Sequence, residues 1–152
     1  MSNGLSRLLA LKAECRDVAG EMALEANRYR ALEGRAPVKA ISSFNLFQTP
    51  EHIAERMARL LGPVIRCLEP SAGLGRLAKV AQCEDLVMVE QSGDCCAELL
   101  KLELATTCRV LQRDFLTVTE AEVGLFDGIL MNPPFKMGTD ARHYARALEL
   151  LK

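Results

Sequence analysis

From residue 64 onward the chain repeats one rhythm: a short apolar run, a turn, then a helical pattern. VIRCLE (64–69) is followed by PSAGLG and RLAKVAQC; DLVMVE (85–90) by DCCAELLKLELA; CRVLQ (108–112) by a polar connection and FDGILM (126–131). Runs of five or six mostly apolar residues bounded by breakers suit strands buried on both faces. Strands that alternate with helices need crossover connections, which imply an α/β fold with a parallel sheet covered on both faces. ARHYARALELLK then places Tyr144, Ala147, Leu148 and Leu151 at helical spacing.

Two helical patterns precede this unit. LSRLLALKAECRDVAGEMALEANRYRALE (5–33) sets Leu5, Leu8, Leu9, Cys15, Ala19, Met22, Ala26 and Tyr29 near one face, and Gly34-Arg35-Ala36-Pro37 ends it. The expected organisation is a helical segment over 1–36 and an α/β domain over 37–152. In FNLFQTPEHIAERMARLLG, Thr49 is a candidate N-cap and Pro50 fits the first helical position. Ile53, Met57, Leu60 and Leu61 form the expected buried face, and Gly62-Pro63 stops the helix.

The chain has 152 residues and a formal charge of -1, from 19 basic and 20 acidic side chains. Those totals imply no general polycationic surface. Arg7, Arg28, Arg30, Arg35, Lys136 and Arg142 could meet phosphates, although scattered surface charge accounts for them equally well. Six cysteines include no CxxC pair, and His52 and His143 are the only histidines, so no metal site is expected. Cys67 and Cys108 lie in apolar runs, where buried thiols are the usual outcome. No run reaches membrane-spanning length and no signal-like start is present; the expectation is a reduced, cytoplasmic protein with no membrane partner.

Three features carry chemistry. Glu69-Pro70-Ser71-Ala72-Gly73-Leu74-Gly75 joins a strand to an expected helix. Its glycines permit left-handed torsions and close ligand approach, and the helix start would favour negative groups. The turn is neither GxGxxG nor a P-loop, so a pyrophosphate grip fits poorly. Glu90 ends the next strand, where an acidic residue accepts ribose hydroxyls in doubly wound nucleotide folds. Asp114 follows the third strand and could accept from an adenine amino group, with Phe115 or Leu116 against the ring. Last, FDGILM runs into Asn132-Pro133-Pro134-Phe135. Two prolines end a strand because neither offers an N–H. A plain terminator, with Asn132 bonding its own backbone, is one reading of that stretch.

These motifs, in this order, resemble the S-adenosylmethionine-dependent N6-adenine DNA methyltransferases over roughly residues 44–148. FNLFQTP looks like the family's N-terminal cofactor motif, with Phe47, Thr49 and Pro50 in recognisable positions. LEPSAGLG looks like its glycine-rich motif, so the resemblance sets Glu69, Pro70, Ala72, Gly73 and Gly75 beside the methionine part of the cofactor. Glu90 matches the ribose ligand, Asp114 and Phe115 the adenine position, and Asn132, Pro133, Pro134 and Phe135 the catalytic NPPF motif, Asn132 also lying against the cofactor.

The resemblance implies a partial Rossmann-like class I methyltransferase fold, with sheet order 3-2-1-4 and helices on both faces. It implies S-adenosylmethionine as cofactor and methyl transfer to N6 of a flipped adenine in DNA. RNA adenine and protein glutamine are alternative acceptors, each a planar nitrogen. The family fold normally has seven strands and this chain shows four. The expectation is therefore a domain without the later strands and a target-recognition region, whose activity could call for a longer protein. The other alternative is a non-catalytic assembly module that self-associates through the 5–33 helix or an open sheet edge.

Overall fold

The computed structural model describes residues 48–135 and 138–152. The expected 1–36 segment, its 5–33 helix, Phe44, Phe47 and Lys136 lie outside those residues. Four parallel strands form the sheet: β1 (Val64–Glu69), β2 (Cys83–Glu90), β3 (Thr107–Gln112) and β4 (Gly128–Ile129). Their spatial order is 3-2-1-4, as the resemblance implies. Val64 pairs with Cys83 and Glu69 with Met88, while Asp85 pairs with Thr107 and Glu90 with Gln112. β4 is the shortest strand, pairing only Gly128 and Ile129 with Cys67 and Leu68. Hydrogen bonds from Asp127 N to Arg66 O and from Leu130 N to Leu68 O extend the contact on either side. Beyond β4, Leu151 makes a parallel bridge to Phe126.

Side chains alternate across the sheet, and each face has its own core. Cys67, Leu86 and Met88 pack with helix α1 (Glu51–Leu61), the 3₁₀ turn Ala78–Val80 and helix α2 (Gly93–Leu99). Leu68, Val87 and Val89 pack on the other face with the 3₁₀ turn Phe115–Thr117, the single turn α3 (Glu120–Val123) and helix α4 (Thr139–Glu149). Both faces are covered, as expected for a parallel sheet.

Several local expectations change. The helix after the glycine turn is only the 3₁₀ turn Ala78–Val80, because β2 starts at Cys83 and Ala81 is already extended. There is therefore no α-helix N-terminus at the glycine turn to favour an anion. Pro50, not Thr49, is the N-cap of α1: the amides of Ile53 and Ala54 both donate to Pro50 O, and no side chain caps the helix. The buried stripe of α1 centres on Ala54 and Ala58, with Met57 and Leu61 partly covered and Ile53 and Leu60 exposed. Small side chains let this helix lie close to the sheet; Gly128 has room only for hydrogen beside Leu61. On α4 the buried positions are His143 and Ala147, while Tyr144 and Leu148 are exposed. Cys67 is buried as expected, but Cys108 is exposed on the outer strand β3.

Candidate active site

All four strands run the same way, so their carboxyl ends share one rim. The chain leaves β1 to one side for β2 and β3, then crosses to the other side for β4. The crevice between the ends of β1 and β4 is the topological switch point, where open α/β sheets bind ligands. Glu69 ends β1, and Asn132 follows β4.

Glu69 is 2% exposed, and its Oε2 has no hydrogen-bond partner. Burial pushes this carboxyl from its ordinary 4.5 up to about 8; the backbone amides of Ala78 and Leu77 oppose the rise, and the nearby Glu90 charge adds to it. A buried polar atom without a partner is costly unless something arrives to satisfy it. Pro70 is fully buried beside it. Ala72 N donates to Val89 O at 3.0 Å and Gly75 N to Ala72 O at 2.8 Å, which pins the turn to the end of β2. Gly73 and Gly75 have φ of 55° and 75°, the left-handed torsions the motif anticipates.

Glu90 joins the same turn to the next. Its Oε2 accepts from Gly73 N at 2.8 Å and its Oε1 from Ser92 N at 2.7 Å. A carboxylate has about four lone-pair sites, so this two-point clamp leaves it able to accept two hydroxyls. Asp114 is exposed and caps the 3₁₀ turn by accepting from Leu116 N at 2.9 Å. The Phe115 ring, however, is turned into the core, with its centroid 5.5 Å from the ring of buried His143. A short 3₁₀ turn started by Asp114 drives that side chain inward, so it cannot stack on a ligand. Leu116 is the partly exposed apolar side chain at this position.

At the other side of the crevice, Asn132 Nδ2 donates to the Oγ1 of buried Thr49 at 3.1 Å. This contact joins residues 83 positions apart and was invisible in the sequence; the only signal was that both residues belonged to motifs. Pro133 is fully buried, Pro134 is partly buried, and Phe135 is 52% exposed. Gln48 accepts from Arg76 Nη2 at 3.3 Å, so the segment before α1 also touches the glycine turn. His143 Nδ1 hydrogen-bonds Thr139 O at 2.8 Å, which ties the buried ring to its own helix. Burial raises the Cys67 thiol to about 12, which removes it as a nucleophile.

The rim collects Glu69, Glu90 and Asp114, three carboxyl groups, with glycines and an asparagine. That set suits a cationic, ribose-bearing ligand and is ill suited to a polyphosphate. S-adenosylmethionine fits it: the orphaned Glu69 oxygen would meet the methionine ammonium, and the Glu90 clamp would accept the ribose hydroxyls.

No family model and no curated protein sequence matches the chain. Solved structures do. A protein from Pyrococcus horikoshii assigned as an RNA methyltransferase superposes with a TM-score of 0.64 at 20% identity, over 74% of this chain and 63% of that one. The tRNA m1G37 methyltransferase of M. jannaschii gives 0.58 at 14% identity, over 71% and 35%. The N-methyltransferase NodS of Bradyrhizobium japonicum gives 0.55 at 17% identity, over 67% and 60%. The chain thus spans between about a third and two thirds of these proteins. At such identities the likeness is one of fold: this is the parallel α/β sheet of class I, Rossmann-like methyltransferases, in part.

Proposed function

We propose that the chain binds S-adenosylmethionine and directs its methyl group to a planar nitrogen, of the adenine N6 type, in a nucleic acid. The observation that carries this reading is the placement of Asn132-Pro133-Pro134-Phe135 at the switch point, with Asn132 anchored through its nitrogen and Phe135 open to solvent. The cofactor supplies an electrophilic methyl on sulfur, so the protein's task is alignment more than strong base catalysis. Asn132 Oδ1 and the Pro133 carbonyl accept the two N–H groups of the amine. That geometry turns the nitrogen lone pair toward the methyl. Phe135 stacks on the unpaired base. Glu90 and Glu69 hold the cofactor by its ribose and its ammonium group.

DNA is the substrate that the family resemblance of the EPSAG turn and its FNLFQTP partner implies. RNA is the alternative acceptor, supported by two of the three fold neighbours described above being named for RNA or tRNA methylation, the third being named an N-methyltransferase. Protein glutamine has the same planar amide but less support. The test incubates the full chain with labelled S-adenosylmethionine and DNA, RNA or protein, and identifies the product by mass spectrometry. Methylated adenine in DNA or RNA is expected, and Asn132→Ala should abolish it while calorimetry still detects cofactor binding. Methyl transfer that survives Asn132→Ala would refute the site. Absence of saturable S-adenosylmethionine binding would refute the reading as a whole.

A further inference from the structure

Thr49 is polar yet only 7% exposed, and it contacts a residue 83 positions away. It does not cap α1, because Pro50 occupies that position. What its hydroxyl oxygen does is accept a hydrogen bond from Asn132 Nδ2 at 3.1 Å.

The two ends of a carboxamide are chemically opposite. Its oxygen accepts, its nitrogen donates, and the terminal torsion that exchanges them is broad and roughly two-fold. A substrate amine approached by the wrong end would meet N–H against N–H. An asparagine that serves as an acceptor therefore needs a partner on its nitrogen, and a hydroxyl oxygen is such a partner.

We propose that Thr49 is a positioning residue: its hydroxyl holds the Asn132 carboxamide with the oxygen facing the acceptor amine, tying the segment before α1 to the catalytic strand end. This assignment rests on the methyl-transfer reading given above. It differs from a purely cofactor-binding role because it acts through Asn132 and on turnover rather than on cofactor affinity.

The test uses the full chain with Thr49→Val, which keeps the shape and removes the hydroxyl, and Thr49→Ser, which restores it. The first readout is the side-chain amide of Asn132 by nitrogen-15 NMR, assigned by its loss in Asn132→Asp. The wild type should show dispersed, exchange-protected Nδ2 protons; Thr49→Val should move them toward free-amide positions, and Thr49→Ser should restore most of the protection. The second readout is kinetic. Thr49→Val should lower kcat at least tenfold while the Kd for S-adenosylmethionine stays within about threefold, and Thr49→Ser should recover most of the rate.

An unchanged Asn132 amide signal in a folded Thr49→Val protein would overturn the proposal. So would an unchanged kcat, or a loss confined to cofactor affinity. If Thr49→Val does not fold, Thr49→Ser decides: rate and protection close to wild type support the assignment, and loss of both opposes it. A wild-type protein that binds no S-adenosylmethionine would instead defeat the methyl-transfer reading, and the NMR readout would show separately whether the Thr49–Asn132 bond forms.

Discussion

Glu69→Gln tests whether the buried carboxyl at the end of β1 titrates as its surroundings require. The side chain is 2% exposed, one oxygen has no partner, and burial carries the group from 4.5 to about 8. Below pH 4.5 it is protonated in both folded and unfolded chains. Between 4.5 and about 8 the folded chain keeps a proton that the unfolded chain releases, so rising pH favours unfolding; above 8 that loss is complete. At about 1.4 kcal/mol per pH unit, the interval amounts to roughly 5 kcal/mol. Glutamine carries no such proton. Its NH₂ adds an unpaired donor worth about 1–3 kcal/mol, but that cost is the same at every pH. Urea unfolding followed by circular dichroism at pH 5 and pH 8.5 isolates the difference. The variant should gain about 4 kcal/mol on wild type between the two conditions. Saturating S-adenosylmethionine should narrow the gap at pH 8.5 by setting an ammonium beside the ionised carboxylate. Parallel pH profiles for the two proteins, within about 1 kcal/mol, would refute the reasoning, since a carboxyl that titrates normally cannot separate them.

Glu90→Ala removes the Gly73–Ser92 clamp together with the proposed ribose acceptor, so calorimetry should show S-adenosylmethionine binding weakened about tenfold or more, whereas Asp114→Ala should cost less. Gly75→Ala should destabilise the fold by roughly 2–5 kcal/mol, because φ is 75° and the new methyl would collide with Leu102 and lie 2.9 Å from Leu99 Cδ2; a change below about 1 kcal/mol in urea unfolding would contradict this. Arg66 donates to Asp85 and to the carbonyls of Val123 and Leu125, with its guanidinium 4.9 Å from the Phe126 ring centroid. Arg66→Met leaves those acceptors unpaired and should cost about 2–3 kcal/mol in the same assay without altering cofactor affinity at neutral pH.

Periodicity alone established that strands and helices alternate, because fully buried parallel strands must be short apolar runs and must be joined by covering crossovers. Glu69, Glu90 and Asn132 could be singled out for the same reason: each sits where a run ends, and a parallel sheet gathers all such ends on one rim. Strand order was not written in the periodicity, which is the same whichever neighbour a strand chooses; it came by resemblance and is seen in the pairing. The local pattern also could not tell which helical stripe faces inward. Ile53, Leu60, Tyr144 and Leu148 are as apolar as core residues, but Ala54, Ala58, His143 and Ala147 took the inner positions because close packing on a sheet rewards small or well-partnered side chains. Phe115 went to the core rather than the ligand because a 3₁₀ turn set its direction. The bond from Asn132 to Thr49 depends on two distant segments meeting at the switch point. Residue types determined what each group could do; the tertiary contacts decided which way each one faced.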